Sequence, residues 1–95
     1  MLTKRPLAEL IEELNLPPDS KFLGYVIHRP SSDEFLVKRE KRPSSDAYLW
    51  TSAGPDTAMR FQNPNQAASL VKKYGKGAVV GGLFETSNEY RFYEL

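Results

Sequence analysis

The sequence predicts an α+β domain with an antiparallel sheet and two short helices, in the order α-βββ-α-ββ. Two apolar stripes fall at helical spacing, each with a helix start or stop signal beside it, and five stretches are rich in aromatic and β-branched residues. An eight-residue pattern also occurs twice, RPSSDEFL at 29–36 and RPSSDAYL at 42–49, and supplies turns between the first three of those stretches. Ninety-five residues suit one domain spanning 1–95, with a single thin core and residues 1–5 expected to fray.

Leu7, Leu10, Ile11 and Leu14 stand at i, i+3, i+4 and i+7, with Pro6 at a tolerated first helical position and Pro17-Pro18 ending the segment. The stripe suits a helix docked over a sheet, or one that offers the same leucines to a partner. Strands are predicted over 21–29, 34–42 and 47–53. The GPD turn at 54–56 leads to TAMRF (57–61), a short strand or an extended lead-in. Asn63 is an N-cap, Pro64 the first helical residue and Gln66 the third, ahead of the stripe Ala67, Leu70, Val71, Tyr74. Gly75 is placed to end that helix, with Lys72 and Lys73 at the negative end of its dipole. AVVGGLFE (78–85) and YRFYEL (90–95) flank TSNE as a closing hairpin, and Gly81-Gly82 signal a bulge or a close backbone approach.

In each RPSSD copy the proline removes a ladder donor, and the Ser-Ser-Asp run can bond back to nearby backbone. The two copies therefore read as the turns of a β-meander, at opposite ends of its middle strand. Eight extended residues separate them by ~26 Å, too far to converge on one ligand.

Composition narrows the chemistry. The chain has no cysteine, which excludes disulfides, thiolate metal sites and cysteine nucleophiles. A single histidine leaves no metal-ligand spacing, so neither a metal nor another cofactor is expected. No apolar run has membrane-spanning length and MLTKRPLAELIEEL lacks a signal-type apolar core, so a cytoplasmic protein is expected. Net charge is only +1, although residues 1–20 carry −2 and residues 21–42 carry +3. A duplex-binding domain usually shows a larger basic excess.

The basic run VKREKR (37–42) is the first candidate site, through Lys38, Arg39, Lys41 and Arg42. Pairing 22–29 with 35–42, residue 29 opposite 35, gathers Leu23, Tyr25, Ile27, Phe35 and Val37 on one core face. Alternation then places Lys38 and Arg42 on the other face with Glu40 between them, and sends Arg39 and Lys41 to the core side. The run serves as a solvated strand end or as a contact surface for an anionic partner. Tyr48 and Trp50 share a strand face and divide between core and partner anchor. Beside cations, such rings could also stack unpaired bases. His28, close to Ser31, Ser32 and Asp33, superficially suggests a Ser-His-Asp triad, but residues so near across a turn rarely reach triad geometry. GKGAVVGG (75–82) follows a helix rather than preceding one and lacks the phosphate-loop order. No enzyme is expected.

The element order over 6–74 resembles the double-stranded-RNA-binding domain. That family carries a lysine-rich cluster at the start of its last helix, whereas FQNPNQAASL holds no cation between Arg60 and Lys72. The final strand pair has no counterpart there, so the likeness ends at element order. The stretch YLWTSAGPDTAMRFQNPNQAASLV (48–71) resembles a pattern of short proteins from phages and other mobile elements: aromatic-Trp-Thr strand, A-x-x-F, then a capped helix. It covers about a quarter of the chain. The resemblance implies a small non-enzymatic protein that binds and blocks a host complex, as anti-CRISPR and other anti-defence proteins do, in the cytoplasm of a bacterial host. The partner would be a larger protein or protein complex, met through the 38–42 hairpin end and the Tyr48/Trp50 face. The chain would act as a monomer or homodimer. The rival expectation is a nucleic-acid binder using the same cations with Tyr or Trp stacking.

Overall fold

The computed structural model describes residues 5–74, 77–87 and 89–95. These form α1 (Leu7–Glu13), β1 (Lys21–Arg29), β2 (Glu34–Glu40), β3 (Ala47–Thr51), a 3-10 turn (Pro55–Thr57), α2 (Pro64–Tyr74), β4 (Val79–Glu85) and β5 (Tyr90–Glu94). The strands make one antiparallel sheet in the order β3-β2-β1-β4-β5. The predicted class and element order are those observed. The frayed N-terminus and the Gly75 helix stop fall on residues 1–4 and 75, outside the described residues, while Arg5 bonds Glu9 through Nε at 3.0 Å.

Alternation along β1 splits the core. Tyr25, Ile27, Leu36, Ala67, Leu70 and Val80 pack on the face that α2 covers. Val26, Phe35, Ala58 and Leu83 pack on the opposite face, with Leu23 and Phe92 against them. α1 joins the α2 face at one end, where buried Leu10 meets Leu16 and Phe84. Leu7 of the predicted stripe stays exposed. In α2, Asn63 Oδ1 accepts the Asn65 N–H at 2.8 Å, so the predicted cap is present.

The first hairpin corrects the expected register. His28 pairs with Phe35 and Arg29 with Glu34, one residue from the expected 29–35 match. Asp33 causes the difference: with φ 51° it closes the turn and leaves only residues 30–33 between the strands. A one-residue slip exchanges faces, so Leu36 rather than Phe35 joins Tyr25 and Ile27, and Leu23 lies with Val26 across a bulge between Phe22 and Gly24.

Beyond that turn β1 and β2 part, and residues 58–61 lie between them. Tyr25 and Phe61 exchange both backbone hydrogen bonds at 2.8 Å, and the Met59 N–H donates to the Leu36 carbonyl at 2.8 Å. Ala58 packs on one face, Met59 and Phe61 on the other, so this connection carries the chain through the sheet toward α2. Gly24 permits the approach. Its φ is +146°, and a Cβ there would lie 3.1 Å from Arg60 Cβ and 3.3 Å from the Phe61 carbonyl oxygen. TAMRF is thus a lead-in with a single bridge rather than a strand of its own.

Candidate functional site

The two RPSSD copies lie at opposite ends of β2 and do different things. In the first, the Ser32 N–H bonds the Arg29 carbonyl and the Asp33 N–H the Pro30 carbonyl, a tight turn. In the second, β2 ends at Glu40, so Lys41 and Arg42 belong to a six-residue loop (41–46) instead of continuing the strand. Each aspartate nevertheless reaches back to the strand before it: Asp33 to His28 Nε2 at 2.9 Å, Asp46 to Arg39 Nη2 at 2.8 Å. The last turn of α2 is tied to both ends. Tyr74 Oη accepts from Arg29 Nη1 at 2.8 Å, and Lys73 Nζ lies 3.4 Å from Asp46.

Of the four cations expected to divide two and two between the faces, only Lys38 and Arg39 lie on the strand. A bulge between Leu36 and Lys38 offsets the altered hairpin register, so Arg39 lies beside Tyr48 on the α2 face and Lys38 lies opposite Leu49 on the other. Glu40 is bracketed by Lys38 Nζ at 3.4 Å and Arg42 Nη2 at 3.2 Å. The hydrogen bond from Arg42, then that from Lys38, holds the Glu40 carboxyl below its usual range. Burial pushes Asp46 up, but hydrogen bonds from Arg39 and Lys73 outweigh it and hold its carboxyl low. Lys41 is exposed and carries no ion pair among the described residues. Lys73, placed by the sequence only as a dipole partner, belongs to this end of the molecule through Asp46. Five cations (Lys38, Arg39, Lys41, Arg42, Lys73) therefore meet two carboxylates, a local net charge of +3 in a chain of total +1.

Tyr48 and Trp50 are half-buried beneath α2. Their ring centroids lie 5.0 Å and 5.2 Å from that of Tyr74. The Arg29 guanidinium carbon sits 4.1 Å from the Trp50 ring centroid, a cation–π contact, and Glu34 pairs with the same guanidinium. Burial disfavours the Arg29 charge, yet hydrogen bonds to Tyr74 and Glu34 outweigh that and raise its pKa. A base stacking on that face of Trp50 would have to displace Arg29. With Ile27, Leu36, Leu70 and Val71, these rings enclose a recess that has no room for a water molecule.

His28 is held between Phe35 and Phe92, with ring centroids 4.6 Å and 4.9 Å away. Its Nε2 is engaged by Asp33, and Ser32 hydrogen-bonds Glu34 instead of His28. Among the described residues, no group of three or more His, Asp or Glu could hold a metal ion, and no helix is long and apolar enough to cross a membrane.

One surface residue escaped the sequence reading. Leu49 is 48% exposed, on the face opposite Tyr48 and Trp50, in a strand with no neighbour on its outer side among the described residues. Strand alternation between the two aromatics was the signal that could have found it. Comparison with family models, curated proteins and solved structures finds no match to this chain.

Proposed function

We propose that the chain is a small, non-enzymatic protein-binding module that docks on a larger protein or protein complex and blocks it, in the manner of the phage and mobile-element class that residues 48–71 resemble. The observation that supports this reading best is the β3 edge: an open strand with a half-exposed leucine, braced from behind by Tyr48, Trp50 and Tyr74. Rigid aromatic support beneath an exposed apolar residue suits a protein interface. The test is affinity capture from bacterial host lysate with and without nuclease, read by mass spectrometry. The expected result is one stoichiometric protein partner that survives nuclease. Recovery that disappears with nuclease would overturn the reading.

The five cations around Glu40 and Asp46 favour a second reading, nucleic-acid binding. Phosphate contacts release counterions, so affinity for a nucleic acid would fall by orders of magnitude between ~50 and ~200 mM salt. An interface centred on Leu49 and its aromatic support would change far less.

A further inference from the structure

We infer that the β3 edge accepts an extended, acidic segment of a partner protein as an added strand, and that the cations of the β2–β3 loop and the α2 terminus select its carboxylates. This rests on the protein-binding reading above and specifies the partner's chemistry.

The sheet has two edges, and they differ. β5 carries Arg91, which bonds Glu89 at 2.8 Å, and Glu94, and it packs against the 3-10 turn. Charges and cover of this kind discourage strand addition. β3 reads Ala-Tyr-Leu-Trp-Thr, with no charge, proline or glycine. Its outer backbone groups form a template for another strand. An incoming chain would set alternate side chains beside Leu49 on one face, with Lys38 one strand further in, and beside Tyr48 on the other, at ~7 Å spacing along each face.

Charge chooses the occupant. The +3 patch adjoins the Ala47 end of this edge, where Lys73 reaches Asp46, the residue before β3. Lys41, in the loop that leads to this end, is exposed and without an ion pair among the described residues. It is free to meet a carboxylate of a peptide. A nucleic acid fits less well, because it cannot use the strand's backbone ladder or the apolar surface of Leu49.

The test is a ¹⁵N-resolved NMR titration of the whole chain with a ten-residue peptide alternating valine and glutamate. A valine–glutamine peptide and a ten-nucleotide oligothymidylate serve as comparisons. The expected result is perturbation centred on the Ala47–Thr51 amides, with binding weakened several-fold by the reversal Lys41→Glu and several-fold by Leu49→Ser. Circular dichroism checks that the variants fold, and the charge reversal, at an exposed loop site, keeps the test valid should Leu49→Ser misfold. Equal binding of the valine–glutamine peptide, tighter binding of oligothymidylate, or concentration-dependent β3 shifts without peptide (a second copy on the edge) would each overturn the inference. So would a natural protein partner retained equally by both variants, which would leave the protein-binding reading standing.

Discussion

Gly81 shows how one missing side chain makes room for a ring in the second core. The Phe92 ring from β5 lies across β4 at this position and reaches Phe35 on β2, centroid to centroid 5.3 Å, and His28 on β1. Phe92 can span the intervening strands only because Gly81 presents nothing above the sheet. A Cβ there would lie 2.3 Å from Phe92 Cε1 and 2.4 Å from the Tyr93 carbonyl oxygen. The ring could swing aside, but the carbonyl belongs to a paired strand and would move β5 with it. Gly81→Ala should therefore cost ~2 kcal/mol, as overpacking does, and lower the melting temperature by roughly 8–16 °C for a domain of this size. An unchanged melting curve would mean that Phe92 does not rest on Gly81. The close approach was legible in the Gly-Gly pair; its partner was not, because nothing local to 78–85 says which strand will cross it.

At the scale of elements, stability should be graded along the sheet. β1 pairs with β4 from Lys21–Glu85 to His28–Val79, whereas it pairs with β2 only next to their turn. Both central strands are buried on both faces, while β3 has one neighbour and no fully buried residue. Hydrogen exchange should then be slowest at Val26, Ile27, Val80 and Leu83, and at least about tenfold faster at the bonded amides of β3, which can open without disturbing the centre. Equal protection in β3 would show that the sheet opens only as a unit. The helices, the presence of the strands and the hairpin order were legible, since each rests on local periodicity and turn residues, but β2 and β3 each stop two residues short of the expected 42 and 53, at Glu40 and Thr51. The β1–β2 register was not, because it depended on whether Asp33 closes the turn in a left-handed conformation. Nor was the bulge after Leu36, which nothing in EFLVKRE signals. The two deviations cancel at Arg39, so Lys38 and Arg39 take the expected faces on a mistaken pairing, while Lys41 and Arg42 lie in the loop beyond the strand. The passage of 58–61 between β1 and β2 was also hidden, because Gly24 states only that something comes close.

Over the whole molecule, folding concentrates charge that is dispersed in the chain. Residues 38–42 and Lys73 meet at one end, where Glu40 and Asp46 moderate five cations. Both carboxyls are held below their ordinary values of 4.5 and 3.8. A depressed folded-state pKa contributes stability that is fully present above the unfolded value and is lost as pH falls through the folded one. The window therefore opens just above pH 4 and extends below the ordinary aspartate value. Protonation there also removes the only negative charges of the patch, leaving the cations to repel one another. The melting temperature should fall steadily from pH 5 to pH 3, and added salt should restore part of the loss at pH 3 by screening that repulsion. Asp46→Asn separates this pair from the other carboxyls. It should lower the melting temperature at pH 7, where the charge is missing, and flatten the decline toward pH 3, where the wild type loses the same charge. Parallel curves for the two proteins would show that Asp46 does not hold the loop to α2 through its charge, and that the anchor joining the second RPSSD turn to the helix lies elsewhere.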